Sequence, residues 1–391
     1  MKRALSSRRS FERAKSIEEL GLIAKRRIPN FAFEYVLGGS DDETSLHNNR
    51  SAFDRYRFTP RTLVDVSVRD ISTEIFGRRI AMPLIIGPTG FNGLITRDGD
   101  SKLAQAAAGR GIPFTLSNVS TVSMEDIART PKGWPWMQVY FFRDRKYVTD
   151  LIQRCKDAGY DTIVVTTDSS IYGNREWDAR NYVRPFVLDW RNKLDTLSKP
   201  RWMLDVLYPH GMPTFKNLGD LIPPEGIPTK GAAAVIGKHH MPSLNWDDIA
   251  WLRRIWPGHL VVKGILSVGE ARRATELGVD GIVLSNHGGR QLDGSVAPIE
   301  ILHEVREAVG PHMTLLIDSG FRRGTDVLKA LLLGANAVLL GRATLFGLGA
   351  GGQAGADYAL GLLQEDLHRT LGLLGCRSLK DLDDSLIRKC P

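Results

Sequence analysis

Leu260-Val261-Val262-Lys263, Gly281-Ile282-Val283-Leu284, Thr314-Leu315-Leu316-Ile317 and Ala337-Val338-Leu339-Leu340 follow one another closely in the second half of the chain. Each is a short continuous apolar run, the pattern of a strand in a parallel sheet buried on both faces. Amphipathic stretches at 268–278 and 326–334 separate them and end in glycine, as helices commonly do. Toward the N-terminus the alternation returns, with apolar runs at 82–86, 113–116, 136–140 and 162–166 and helical patterns at 104–111 and 148–159. Eight strand-plus-helix units are the count of an α/β TIM (β/α)8 barrel. A doubly wound open sheet is the alternative for the same pattern.

Two parts lie outside these units. Ser16-Ile17-Glu18-Glu19 is a capping box and predicts a helix to about Arg27, and Pro29 opens a second helix closed by Gly38-Gly39. Residues 1–16 precede these N-terminal helices as a basic arm, expected to be flexible and too poor in apolar residues for a secretory leader. Residues 177–242 separate the fourth run from the fifth by far more than one unit needs. This insertion after the fourth strand holds Trp177, Tyr182, Phe186, Trp190, Trp202, Tyr208 and Phe215, and nine Lys/Arg against six Asp/Glu. A basic, aromatic segment suits a lid or a membrane-surface segment; an ordered loop against the barrel or a second subunit is the plainer alternative. Residues 17–391 are expected to form one domain.

Composition narrows the function classes. The 391 residues are 42% hydrophobic and 25% charged, which excludes wholesale disorder. Cys155, Cys376 and Cys390 lie far apart, giving neither a disulfide scaffold nor a CxxC site, and fit a reducing compartment. Lys+Arg 52 against Asp+Glu 44 leaves +8, a mild bias that does not choose among nucleic acid, an anionic membrane surface and small anionic substrates. No apolar run is long enough to span a bilayer. No metal site is expected: His210 and His239-His240 fall in the insertion without carboxylate or cysteine partners at ligand spacing and read as solvated loop. Gly347-Leu348-Gly349-Ala350-Gly351-Gly352 satisfies GxGxxG, but it does not directly follow a strand and no acidic residue ends a second strand beyond it. It reads as a glycine-rich connection, not a nicotinamide site.

In a barrel of this kind functional groups sit just past the strand C-termini. There the chain offers Gly87-Pro88-Thr89-Gly90, then Ser117-Asn118, then Gln138 and Tyr140, then Thr166 and Asp168. Residues two apart on a strand share a face. Lys263 ends the fifth run, Ser285-Asn286-His287-Gly288-Gly289-Arg290-Gln291 follows the sixth, Asp318-Ser319-Gly320 with Arg322 and Arg323 the seventh, and Gly341-Arg342 the eighth. So many polar groups at one rim cost too much to be explained by stability. Glycines with arginines at the last two strands suit a phosphate, because backbone amides approach it closely and a guanidinium binds it bidentately.

The run from Ser285 to Gln291, continued by Leu292-Asp293, closely resembles the signature of the FMN-dependent L-2-hydroxy acid oxidases and dehydrogenases. The similarity spans roughly residues 17–385. Gly87-Pro88-Thr89-Gly90, the stretch 316–324 and the run 339–345 are most similar to the membrane-associated bacterial members that act on (S)-mandelate. The resemblance implies an FMN-binding barrel. His287 would be the base and Asp168 would orient its ring and stabilise the imidazolium; alone, Asp168 also fits a helix N-cap. Arg290, Arg175 and Tyr35 would bind the substrate carboxylate, although Tyr35 alone fits plain core. Tyr140 would hydrogen-bond substrate oxygens, and Lys263 would stabilise negative charge on the reduced ring. Thr89, Gly90, Ser117, Gln138, Thr166 and Ser285 would surround the flavin. Asp318 would contact the ribityl chain, and Gly320, Arg322, Gly341 and Arg342 the phosphate. Arg323 reads as a salt-bridge partner.

Short-acid oxidases of this family carry tryptophan at the position of Val119; the smaller side chain leaves room for an aromatic ring and favours mandelate, oxidised to benzoylformate. Gly90 stands where the oxidases typically have alanine, which favours a dehydrogenase. L-lactate dehydrogenase and an oxygen-using oxidase stay open, as does, more distantly, a non-redox phosphate-binding barrel. No haem-binding stretch precedes the barrel, so a separate acceptor is expected, a membrane quinone, with the protein cytoplasmic and peripheral on the inner face of the membrane. A homotetramer is implied, and nucleic acid is not expected as a partner. His287 can take either the α-proton or the hydroxyl proton; the residues are the same for both.

Overall fold

The computed structural model describes residues 10–184, 187–218 and 239–390. Eight parallel strands close into a barrel: β1 (Leu84–Ile86), β2 (Phe114–Ser117), β3 (Pro135–Tyr140), β4 (Thr162–Thr166), β5 (His259–Ile265), β6 (Gly281–Leu284), β7 (Thr314–Ile317) and β8 (Ala337–Leu340). Each strand pairs with the next in the chain, and β8 returns to β1. Closure leaves no sheet edge and excludes the open-sheet alternative. The bounds of β4, β6, β7 and β8 are those of the apolar runs; β5 extends two residues beyond its run at the C-terminal end.

Strand alternation gives the barrel two cores. Ile163, Val165, Leu260, Val262, Ile282, Leu284, Leu315 and Ile317 face outward and pack with the surrounding helices. Ile85, Trp136, Val164, Val261, Val283, Leu316 and Leu339 fill the interior. A hairpin, Thr73–Ile75 with Arg78–Ile80, plugs the N-terminal end with Ile75, Ile80 and Phe76. Because side chains alternate, the residue two places further along each strand also points inward, one layer nearer the open end. Those residues are Gly87, Gln138, Thr166, Lys263, Ser285, Asp318 and Gly341.

Ser16 caps the first N-terminal helix, Ile17–Arg27, its Oγ accepting from the Glu19 amide at 3.2 Å. The second, Asn30–Leu37, follows Pro29. The packed chain begins ahead of the boundary expected at Ser16: Ala14 is buried and Phe11 meets Tyr358 edge-on at 5.9 Å. Residues 1–9 of the arm lie outside the described residues.

The glycine-rich run at 347–352 is helical, contrary to the expected connection. It belongs to the helix Arg342–Leu373, which breaks at Gly351 and Gly352. The break folds the two halves closely together: a Cβ at Gly355 would lie 2.1 Å from the carbonyl oxygen of Gly347. Glycine is required there by contact, not by a ligand.

Of the insertion, residues 185–186 and 219–238 lie outside the described residues. The rest includes short helices at Glu176–Ala179, Trp190–Leu197 and Pro200–Trp202 and an antiparallel pair of strands, Tyr182–Arg184 with Val187–Leu188. It is fastened to the barrel and to the N-terminal helices. Trp202 Nε1 donates to the Leu94 carbonyl at 2.9 Å, its ring meets Phe31 edge-on at 5.7 Å, and Asp195 accepts from the Asn30 amide at 2.6 Å.

Gly355→Ala is expected to destabilise the protein by about 1–3 kcal/mol, the usual cost of overpacking against backbone that cannot move aside. Urea denaturation followed by circular dichroism measures it; an unchanged midpoint would mean that the halves of the helix do not meet this closely.

Candidate active site

A cleft opens at the C-terminal end of the barrel. Of the residues expected from sequence, Tyr35, Thr89, Gly90, Ser117, Tyr140, Arg175, Lys263, His287, Arg290, Asp318, Gly320, Arg322, Gly341 and Arg342 line it. Gln138, Thr166, Ser285 and Asp168 lie beneath. Gln138 accepts from Ser117 Oγ at 3.0 Å, and Thr166 stands level with Lys263 and Tyr140 on the neighbouring strands. Ser285 Oγ accepts from Lys263 Nζ at 2.7 Å and from the His287 amide at 3.0 Å.

His287, Gly288 and Gly289 all have left-handed backbone, with φ of 58°, 67° and 73°. Two glycines adopt this freely, whereas the histidine carries strain that the surrounding bonds must hold. The turn brings His287 Nδ1 to 2.8 Å from Asp168 Oδ1. A carboxylate at Nδ1 fixes the proton there and leaves Nε2 with its lone pair free. Burial lowers the His287 pKa more than Asp168 raises it, so the ring is neutral at neutral pH. Burial would raise Asp168, but His287 and Lys263 together hold it at about 2. Asp168 is therefore a histidine partner and not a helix cap.

Lys263, almost fully buried, sits 2.9 Å from Asp318 Oδ2. Burial would strip its proton; Asp318 and Asp168 more than offset that and keep it charged.

Arg175, Arg290, Arg322 and Arg342 face the same cleft, and among the described residues none is ion-paired to a carboxylate. Arg290 lies 5.4 Å over the Tyr35 ring and donates to the Gly38 carbonyl at 2.7 Å. Arg342 donates only to carbonyls, those of Val36, Leu37, Gly38 and Gly288. Burial lowers the pKa of Arg290, Arg322 and Arg342, with Arg322 brought to about 10. Arg323 instead reaches out to Glu18 at 3.6 Å, as expected.

This chemistry fits a flavin mononucleotide. Gln138 Nε2 and Thr166 Oγ1 are buried beneath the cleft without partners, groups a polar ring would satisfy. The glycine and arginine end suits a phosphate, and Arg175 and Arg290 suit a carboxylate. Gly90 is coupled to Val119: a Cβ there would come within 2.5 Å of Val119 Cγ2.

Sequence reasoning missed part of the wall. Tyr172, Asp178, Tyr182, Phe215 and His240 all line the cleft and all come from the connection between β4 and β5. Arg175 lies over the Tyr172 ring at 4.2 Å and donates to its hydroxyl. Burial holds Asp178 above the usual carboxylate range, against the pull of Arg290 and Arg175. His240, read above as solvated loop, is 3% exposed. The concentration of Tyr and Trp in this connection was the one available signal. Among the described residues no group of three metal-ligating side chains occurs.

Residues 24–389 match the FMN-dependent dehydrogenase family. The (S)-mandelate dehydrogenase of Pseudomonas putida is 42% identical over 95% of this chain and 93% of its own. The L-lactate oxidase of Nostoc sp. is 39% identical over 93% of this chain and 95% of its own. The crystal structure of a monotopic membrane protein, (S)-mandelate dehydrogenase, superposes with a TM-score of 0.91 at 41% identity, covering 96% of this chain and all of that one. The barrel, the cleft and these similarities place the chain in the FMN-dependent dehydrogenase family, as a flavoprotein that oxidises 2-hydroxy acids.

Proposed function

We propose that the protein oxidises aryl L-2-hydroxy acids, (S)-mandelate to benzoylformate, and passes the electrons to a membrane quinone. One observation carries the chemistry: a neutral histidine backed by a carboxylate, a buried lysine and two unpaired arginines share one cleft. Bound FMN supplies the two-electron acceptor. Thr89, Gly90, Ser117, Gln138, Thr166 and Ser285 hold its ring, Asp318 the ribityl chain, and Gly320, Arg322, Gly341 and Arg342 the phosphate. Arg175 and Arg290 grip the substrate carboxylate together with Tyr35, and Tyr140 hydrogen-bonds a substrate oxygen. Oxidising the alcohol to a ketone releases two electrons and two protons, of which both electrons and one proton would pass to the bound FMN. His287 Nε2 takes one proton, and Asp168 stabilises the imidazolium that results. Lys263 stabilises the negative charge that builds beside it.

An aromatic substituent is favoured by the walls. Val119 leaves space, and Phe91, Phe215 and Tyr182 line the same cleft. A methyl group would leave these surfaces uncovered, which disfavours lactate. The relatives include enzymes named for both substrates. A membrane surface is favoured by the insertion: Trp190, Leu194 and Leu197 share one helix face and are 65%, 57% and 63% exposed. Arg191, Lys193 and Arg201 are close to them in sequence. An exposed apolar face with basic residues nearby in the chain suits the headgroup region of an anionic bilayer. No helix among the described residues is long and apolar enough to cross a membrane.

Anaerobic (S)-mandelate should bleach the flavin faster than lactate or glycolate does. His287→Ala should keep its FMN and lose bleaching by roughly 10²–10⁴-fold; rapid bleaching in that variant would remove His287 from the base role. The base works only when neutral, and its folded pKa lies below 6.5. Stopped-flow reduction should therefore be flat around neutrality and fall only in acid, and Asp168→Asn should move that limb to still lower pH while slowing the plateau. A limb above pH 7 would contradict the geometry. Finally, the protein should sediment with phosphatidylserine-containing vesicles and be reoxidised by a quinone analogue, with Trp190→Ser, Leu194→Ser and Leu197→Ser combined releasing it. Wild type staying in the supernatant would count against the membrane assignment.

A further inference from the structure

His240 is built into the cleft although it belongs to the insertion. Two backbone bonds fasten its segment beside the end of β3: the Met241 amide donates to the Phe141 carbonyl at 3.1 Å, and the Arg143 amide to the His239 carbonyl at 2.9 Å. The imidazole lies 4.8 Å from the Tyr140 ring and 5.4 Å from the Phe142 ring. Its Nδ1 bonds the Ser169 carbonyl, so Nδ1 carries the proton and Nε2 is left as a lone-pair acceptor. Nε2 is buried and has no partner. Burial lowers the ring's pKa and keeps it neutral. A carbonyl stands behind His240 where a carboxylate stands behind His287, so it lacks the charge that stabilises an imidazolium and is not a second base.

Nε2 is already out of reach of water, so an apolar neighbour leaves that cost unchanged, whereas a donor brought to it recovers a hydrogen bond. A phenyl or methyl group offers none. We propose that His240 is a specificity residue whose Nε2 accepts a hydrogen bond from a hydroxyl on the substrate's ring, making hydroxyaryl 2-hydroxy acids preferred over the unsubstituted aryl acid. This rests on the aryl 2-hydroxy acid reading above and sharpens it.

The test compares (S)-mandelate with its (S)-3-hydroxy and (S)-4-hydroxy derivatives on the holoenzyme. At least one hydroxylated acid should exceed mandelate in kcat/KM by about 10- to 100-fold. His240→Met, which fills the space but accepts no strong hydrogen bond, should collapse that ratio toward one. The dissociation constants of the matching keto acids, read from perturbation of the oxidised flavin spectrum, should follow the same ratio. A wild-type ratio at or below one, or a ratio unchanged in His240→Met, overturns the assignment while leaving aryl 2-hydroxy acid oxidation standing. If no aryl 2-hydroxy acid reduces the flavin, both fall.

Discussion

A closed parallel barrel offers each strand's side chains two faces and each face two ends, and the rest of the molecule depends on that restriction. Val261 and Lys263 share a face of β5, as do Trp136, Gln138 and Tyr140 on β3. The apolar member of each set fills the interior and the polar member reaches the mouth. No strand can slip by one residue without sending its polar residue among the helices and an outer apolar residue into the mouth. Because β8 pairs with β1, a slip in one strand would also have to pass round the whole ring. The stability of the barrel and the register of the site are therefore one property.

The buried charges fall into two sets with different meanings. Lys263, Asp318, Asp168 and His287 support one another: Asp318 and Asp168 keep the lysine protonated, and Lys263 with the bond from His287 keeps Asp168 ionised. Removing Lys263 alone would leave buried carboxylates uncompensated, a far larger penalty than losing the charged set together. The arginines are different. Arg290, Arg322 and Arg342 are bonded to backbone carbonyls and held below their ordinary pKa by burial. Guanidiniums held this way suit an anionic ligand. The histidine and its carboxylate are assembled within the chain, whereas the arginines are left without a carboxylate ion pair among the described residues.

How much of this was legible depends on periodicity. Thr162–Thr166, Gly281–Leu284, Thr314–Ile317 and Ala337–Leu340 are continuous apolar runs because both faces are buried, and their bounds could be read directly. Lys263 and Asp318 stood out as charges ending such runs. His240, Tyr172 and Asp178 did not, because the connection between β4 and β5 has no repeating pattern to say which side chains turn inward. His240 is buried by two backbone bonds to the end of β3, a long-range pairing that local sequence does not encode. The glycine-rich run misled for a related reason: what Gly347 and Gly355 accommodate is each other's backbone, a contact made only once the helix breaks at Gly351 and Gly352.

The two origins of the cleft wall separate two kinds of change. Strand ends supply His287, Lys263 and the polar residues beneath the cleft, tied to the barrel through register, with carboxylate partners for His287 and Lys263. The connection after β4 supplies Tyr172, Asp178, Tyr182, Phe215 and His240, whose backbone lies outside the barrel ladder. Substitutions there alter what the pocket accepts at little cost to the barrel, whereas a substitution at Asp318 or Asp168 disturbs a charge balance four residues deep. Gly90 and Val119 lie between these cases: both follow strand ends and line the cleft, and a Cβ at Gly90 would come within 2.5 Å of Val119 Cγ2. A methyl added at Gly90 must first displace Val119, so any effect of that methyl on the ring arrives together with a change in substrate space. Position 90 cannot be tuned independently of position 119 in this chain, and a substitution at either has to be interpreted as a change at both.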